Sequence, residues 1–107
     1  MDHQLQSLAR LIDTIAARHG AAPETSYTAK LLADGIEKCA KKLGEEAVEA
    51  ALAAMTRDKA LITREAADVL YHLCVLLEAT AVPFADVMAE LDSRTRQSGH
   101  AEKAART

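Results

Sequence analysis

Between Gly44 and Asp68 five of the six acidic residues fall in two bursts, Glu45-Glu46-Ala-Val-Glu49 and, after fifteen intervening residues, Glu65-Ala-Ala-Asp68. Each burst is set in an alanine-rich apolar run, and spacings of three and four residues place side chains on one face of a helix. Two helices of this kind, folded against each other, gather carboxylates instead of scattering them. At about 100° of rotation per residue, Glu45, Glu46 and Glu49 share an arc with Lys38 and Lys42. Ile36, Cys39, Ala40, Leu43, Ala47, Ala50, Ala51 and Ala54 form an apolar stripe opposite, as expected of an amphipathic helix. On the second helix Glu65, Asp68 and His72 fall within an arc of about 60°, interleaved with Leu61, Val69, Leu76 and Ala79. A carboxylate drawn onto an apolar face has to be paired, protonated or bound to a metal. His72 is the one basic neighbour on that face, so a divalent cation shared by Glu46, Glu49, Glu65 and Asp68 is the expected solution.

The rest of the chain supplies a frame for these two helices. Leu5, Leu8, Leu11, Ile12 and Ile15 recur at helical spacing from about Asp2 to His19, and Gly20 stops the run. After a loop containing Pro23, Ser26 is placed to cap a short helix, Tyr27 to Asp34, that Gly35 ends. The long helix Ile36 to Met55 follows. Gly44 inside it costs about 1 kcal/mol against alanine and is expected to admit the close approach of another helix or a ligand. Arg57 and Asp58 mark a turn before a helix from about Ala60 to Thr80, and Pro83 starts a last one in which Phe84, Val87, Met88 and Leu91 are expected to face inward. No alternating run is long enough for a strand. The expectation is an all-α antiparallel bundle of four to five helices in one domain, residues 1–95, followed by a frayed tail, 96–107, without apolar periodicity. Because the Ala60 to Thr80 helix is apolar almost all round, it should be buried on most sides. So short a chain cannot cover it alone, and a homodimer with twofold symmetry is expected.

Several classes are excluded. Net charge is only −3, with acidic and basic residues mixed, which argues against a nucleic-acid surface. Apolar runs such as Leu73 to Leu77 are far short of the ~20 residues that a membrane span needs. Cys39 and Cys74 form no CxxC motif and lie inside helices, so they read as reduced, buried thiols. No signal-like segment opens the sequence, and a cytoplasmic location is expected.

The acids could simply form a solvated face balanced by Lys38, Lys41 and Lys42. That account leaves Glu65 and Asp68 on an apolar face unexplained. Oxygen ligands with no cysteine and at most one histidine favour magnesium, or manganese, over zinc. Magnesium keeps waters and completes its shell with substrate phosphates, and nearby lysines would neutralise the remaining charge. A di-iron site is the rival, but its Glu-x-x-His pairs are absent, since His72 follows Asp68 by four positions and Glu65 by seven.

Ser26-Tyr-Thr-Ala-Lys-Leu-Leu, Lys38-Cys-Ala-Lys-Lys-Leu-Gly-Glu-Glu-Ala-Val-Glu49 and Glu65-Ala-Ala-Asp-Val-Leu-Tyr-His-Leu together resemble the phosphoribosyl-ATP pyrophosphatase family, over about Leu5 to Arg94. That family belongs to the all-α NTP pyrophosphatases, whose metal signature is ExxE followed by ExxD. Glu46, Glu49, Glu65 and Asp68 match it position by position. Pro83, where a capping serine is expected, departs from the family's pattern away from the site. The resemblance implies the second step of histidine biosynthesis, hydrolysis of phosphoribosyl-ATP to phosphoribosyl-AMP and pyrophosphate. It implies metal at Glu46, Glu49, Glu65 and Asp68, and a general base that is Glu45 or one of those ligands. Lys38 and Lys42 would meet phosphates, Ser26, Tyr27 and Lys30 the phosphoribosyl end, and His72 would also contact substrate. The next enzyme of the pathway is an implied partner. A house-cleaning nucleotide pyrophosphatase of the same superfamily, or a non-enzymatic bundle in which the acids only set helix pairing, are the alternatives.

Overall fold

A computed structural model describes residues 2–96, and the expected tail therefore lies, from residue 97 onward, outside the described residues. Five α-helices follow one another: α1 (Asp2–Arg18), α2 (Tyr27–Asp34), α3 (Ile36–Thr56), α4 (Lys59–Ala79) and α5 (Phe84–Thr95), with one 3-10 turn, Pro23–Thr25, before α2. No strand occurs among the described residues, and the chain is an all-α bundle.

The boundaries follow from local chemistry. Gly20 ends α1 at φ 86° and Gly35 separates α2 from α3 at φ 98°, conformations that cost glycine nothing. The Ser26 hydroxyl accepts the Ala29 amide at 3.2 Å and so caps α2. Arg57 ends α3 in the left-handed region, φ 62°. The Asp58 carboxylate then accepts the amides of Ala60 and Leu61 at 3.1 and 3.3 Å, which starts α4 at once. Two-residue reversal at Arg57-Asp58 is what makes α3 and α4 an antiparallel hairpin, each arm 21 residues and about 31 Å long.

The remaining helices cover one end of this hairpin. Ile15, Leu31, Cys39, Cys74 and Val75 make the buried core, with Leu8, Leu11, Ile12, Leu32, Tyr71 and Phe84 packed around it. Both cysteines are free and buried, as expected, and the Cys39 thiol donates to the Leu31 carbonyl at 3.3 Å. The core thus locks α1 and α2 onto the carboxy-terminal half of α4 and the amino-terminal half of α3. The acidic stretches lie beyond it, along the barer part of the hairpin.

Four expectations need correction. The face that α3 turns toward α4 carries Cys39, Lys42, Leu43, Glu46, Ala50 and Ala53, buried or half-buried, while Ile36, Ala40, Ala47, Ala51 and Ala54 of the expected stripe are exposed. The helix is rotated so that Glu46 sits in the seam. Gly44 is exposed, and a Cβ added there would meet nothing within 4 Å, so among the described residues no other helix of the chain approaches it closely. The α4 helix is not enclosed on most sides, because its first half leaves Ala60, Ala66, Ala67 and Leu70 exposed. On α5, Phe84 and Val87 face inward, but Met88 and Leu91 are exposed. In each case the uncovered surface is apolar.

Candidate metal and phosphate site

The hairpin brings Glu46 and Glu49 of α3 against Glu65 of α4, with one carboxylate oxygen from each lying within 4.8 Å of the others. Glu46 is only 14% exposed and pairs with the half-buried Lys42, Nζ to Oε1 3.8 Å. The Oε2 atom of Glu65 is shut off from water and has no hydrogen-bond partner among the described residues. Removal from water pushes the Glu65 carboxyl above its ordinary range, and Glu49 and Asp68 push it further. Glu46 is raised in the same way, by burial first and then by Glu49 and Asp68, with Lys42 opposing. Like charges this close, with one oxygen stranded, form an arrangement that a divalent cation relieves. An all-carboxylate donor set suits a hard cation, so the residues present fit one. A groove of 260 Å³ lined by Glu49, Leu52, Ala53, Thr56, Leu61 and Glu65 opens beside the cluster.

The other expected site residues divide by distance from this trio. Asp68 is exposed and stands outside it, near enough to raise both Glu46 and Glu65. Glu45 and Lys38 are exposed on α3 and do not join the cluster. Ser26 spends its hydroxyl on the α2 cap, and Lys30 pairs with Asp34 at 3.3 Å on the surface of α2. His72 is 6% exposed, with Nδ1 buried and without a hydrogen-bond partner among the described residues. Burial lowers the His72 imidazole below its ordinary range and Lys42 lowers it again, while Asp68 pulls the other way. His72 is therefore electrically continuous with the acid cluster. Around it stand Tyr27, edge-on at 6.4 Å between ring centroids, and Tyr71, edge-on at 4.9 Å.

Tyr71 and Thr28 lie in the sequence segments that carry the family resemblance, but no role at the site was expected of them. Their hydroxyls hydrogen-bond to each other, joining α2 to α4 across 43 positions of sequence. Polar residues starting a short helix gave a local signal, but nothing local points to a partner that distant.

Residues 8–95 match the family model described as phosphoribosyl-ATP pyrophosphohydrolase. Among curated relatives, the phosphoribosyl-ATP pyrophosphatase of Rhodobacter capsulatus is 59% identical over 102 residues, 95% of this chain and 99% of that one. The protein of the same name from Dinoroseobacter shibae is 62% identical over 99 residues, 92% of this chain and 97% of its own. That of Methylobacterium radiotolerans is 63% identical over 100 residues, 94% of each.

Proposed function

From the premise that the chain belongs to the phosphoribosyl-ATP pyrophosphohydrolase family, we infer that it hydrolyses phosphoribosyl-ATP to phosphoribosyl-AMP and pyrophosphate, a step of histidine biosynthesis. The observation that carries the chemistry is the Glu46, Glu49 and Glu65 trio with its stranded Glu65 oxygen. Those three residues, with Asp68 adjoining, would hold a divalent cation, magnesium or manganese, since carboxylate donors suit both. Bound there, the ion supplies neutralisation of phosphate charge and acidification of a nearby water.

The chain's own groups do the rest. Lys42, which faces Glu46 at 3.8 Å, swings from that carboxylate to a phosphate oxygen when substrate enters, and Lys38 adds charge from the exposed rim. The proton of the attacking water goes to a carboxylate. Glu45, exposed beside the trio on α3 and outside it, is free to take it, and one of the ligand carboxylates is the other candidate. Tyr27 and His72 meet the part of the substrate beyond the phosphates, with Ser26 and Lys30 shaping the start of α2 beside them.

Residues 1–95 act as one catalytic domain, in the cytoplasm, as a homodimer that hands its product to the following enzyme of the pathway. Among the described residues no single helix is long and apolar enough to cross a membrane. The test is direct: incubate the protein with phosphoribosyl-ATP and magnesium and identify the products. Pyrophosphate together with a monophosphate is expected, and none in EDTA. Release of orthophosphate, or turnover indifferent to EDTA, refutes the assignment.

A further inference from the structure

Of the three aromatic residues in the chain, two meet beside His72. Tyr27 and Tyr71 lie nearly parallel, 19° between planes with centroids 6.5 Å apart, and His72 stands edge-on to both. Tyr27 is 55% exposed at the first turn of α2, so the core does not need it. One broad ring face is open to solvent while its neighbours are fixed. Tyr71 is held at its hydroxyl by Thr28 and His72 is buried with an unpartnered Nδ1. A ring platform with one unsatisfied polar atom has the makings of a base-binding site: π-faces stack with π-faces, and a stranded nitrogen gains from a ligand's donor or acceptor.

Its place on the hairpin gives the ligand. His72 follows Glu65 by seven residues on α4, which is about 10 Å along the helix, comparable to the length of one nucleoside. Lys42 is close to both, 3.8 Å from the Glu46 carboxylate and near enough for its charge to lower the His72 imidazole. A nucleotide with its outer phosphates at the carboxylates and its first phosphate near Lys42 would lay its base on these rings.

The geometry points to Tyr27, Tyr71 and His72 as the subsite for the purine base of the substrate, with Tyr71, anchored by Thr28, as the residue that positions the other two. This rests on the proposed reaction for the orientation of the substrate. It moves Tyr27 from the phosphoribosyl end to the base.

The chain has no tryptophan and only these two tyrosines, so tyrosine emission reports on this subsite alone. Titration of the full chain in magnesium with adenosine 5′-monophosphate is expected to quench that emission saturably, and ribose 5-phosphate, which lacks a ring, is expected to leave it unchanged. By calorimetry, Tyr27→Leu should weaken binding of adenosine 5′-monophosphate roughly ten- to hundredfold, from the ~1–3 kcal/mol that stacking of one base contributes. Tyr71→Phe and Thr28→Val keep the shapes and remove only the anchor. Each should weaken that binding several-fold, the double variant no more than either single one, with the loss in turnover entering through KM more than kcat. Equal responses to the two ligands, or wild-type affinity in Tyr27→Leu, overturn the subsite. A protein that releases pyrophosphate from phosphoribosyl-ATP yet shows no response to adenosine 5′-monophosphate also overturns it and leaves the reaction standing. One that binds adenosine 5′-monophosphate through Tyr27 but releases no pyrophosphate supports the subsite and removes the reaction.

Discussion

Glu65 concentrates the cost of this site in a single side chain. Its carboxyl is raised above the ordinary value of 4.5 by burial and by its acidic neighbours, so without metal the folded state holds this proton more tightly than the unfolded state does. Stability linked to it is fully present below pH 4.5 and is lost as pH rises through the raised folded value. Glu65→Gln removes the titration while keeping the shape. In EDTA the variant should therefore melt above the parent, by a margin that widens as pH climbs from 4.5, and thermal melts across that range measure it. A constant margin would mean that Glu65 carries no such linkage. Magnesium should reverse the order by mass action, because an ion that binds only the folded parent stabilises it by about 2.7 kcal/mol at a hundredfold excess over its dissociation constant. Glu49→Gln, on the exposed side of the trio, should lose nearly all pyrophosphate release while gaining little from magnesium. Full activity in that variant would reduce the trio to a device for helix pairing. The trio could be foreseen from spacing alone, because three- and four-residue intervals fix side chains to one helix face. The Thr28 to Tyr71 bond could not, since its two halves are brought together only by the packing of α2 on α4.

At the scale of elements, the α3–α4 hairpin holds the two acidic stretches in register through Arg57 and Asp58. Arg57 adopts φ 62°, a conformation that costs a residue with a Cβ about 1–2 kcal/mol. Arg57→Gly should relieve part of this and raise the urea midpoint by an amount worth up to about 1 kcal/mol, the entropy of the added glycine in the unfolded chain taking back the remainder. Asp58→Ala, which strips the Ala60 and Leu61 amides of their acceptor, should cost about 1 kcal/mol. A stabilising Asp58→Ala would show that α4 starts without its cap. Every helix boundary here was legible to within a residue or two, because glycine, serine and aspartate act through their own backbone neighbourhood. The rotation of α3 was not. Alanine occupies nearly every angle of that helix, so the pattern gives little contrast between faces, and tertiary packing, which buries Cys39 and Ala53, decided which face went inward.

The whole molecule leaves much apolar surface uncovered. Val48, Leu52 and Met55 on α3 are 59%, 63% and 81% exposed, and Leu70 on α4 with Met88 and Leu91 on α5 add to them. Side chains of this kind contribute about 1.5–3 kcal/mol each when fully buried, so covering several of them outweighs much of the cost of association. A second copy presents the same surfaces, and twofold pairing satisfies both protomers at once. The proposed dimer would thus use mainly the back of α3, opposite the seam that carries Glu46, in place of the apolar α4 from which it was anticipated. Light scattering at micromolar concentration should give twice the chain mass, and the melting temperature should rise with protein concentration. Met55→Lys tests which surface is responsible. The position is exposed in the protomer and tolerates any good helix former, so the variant should keep its helical circular dichroism while its mass falls toward that of a single chain. Its magnesium-dependent activity should fall with it, since the groove beside Glu49 and Glu65 is walled by Leu52 of the same exposed strip. A Met55→Lys protein that remains a dimer would exclude this strip as the interface, and a wild type that stays a single chain would remove the dimer altogether.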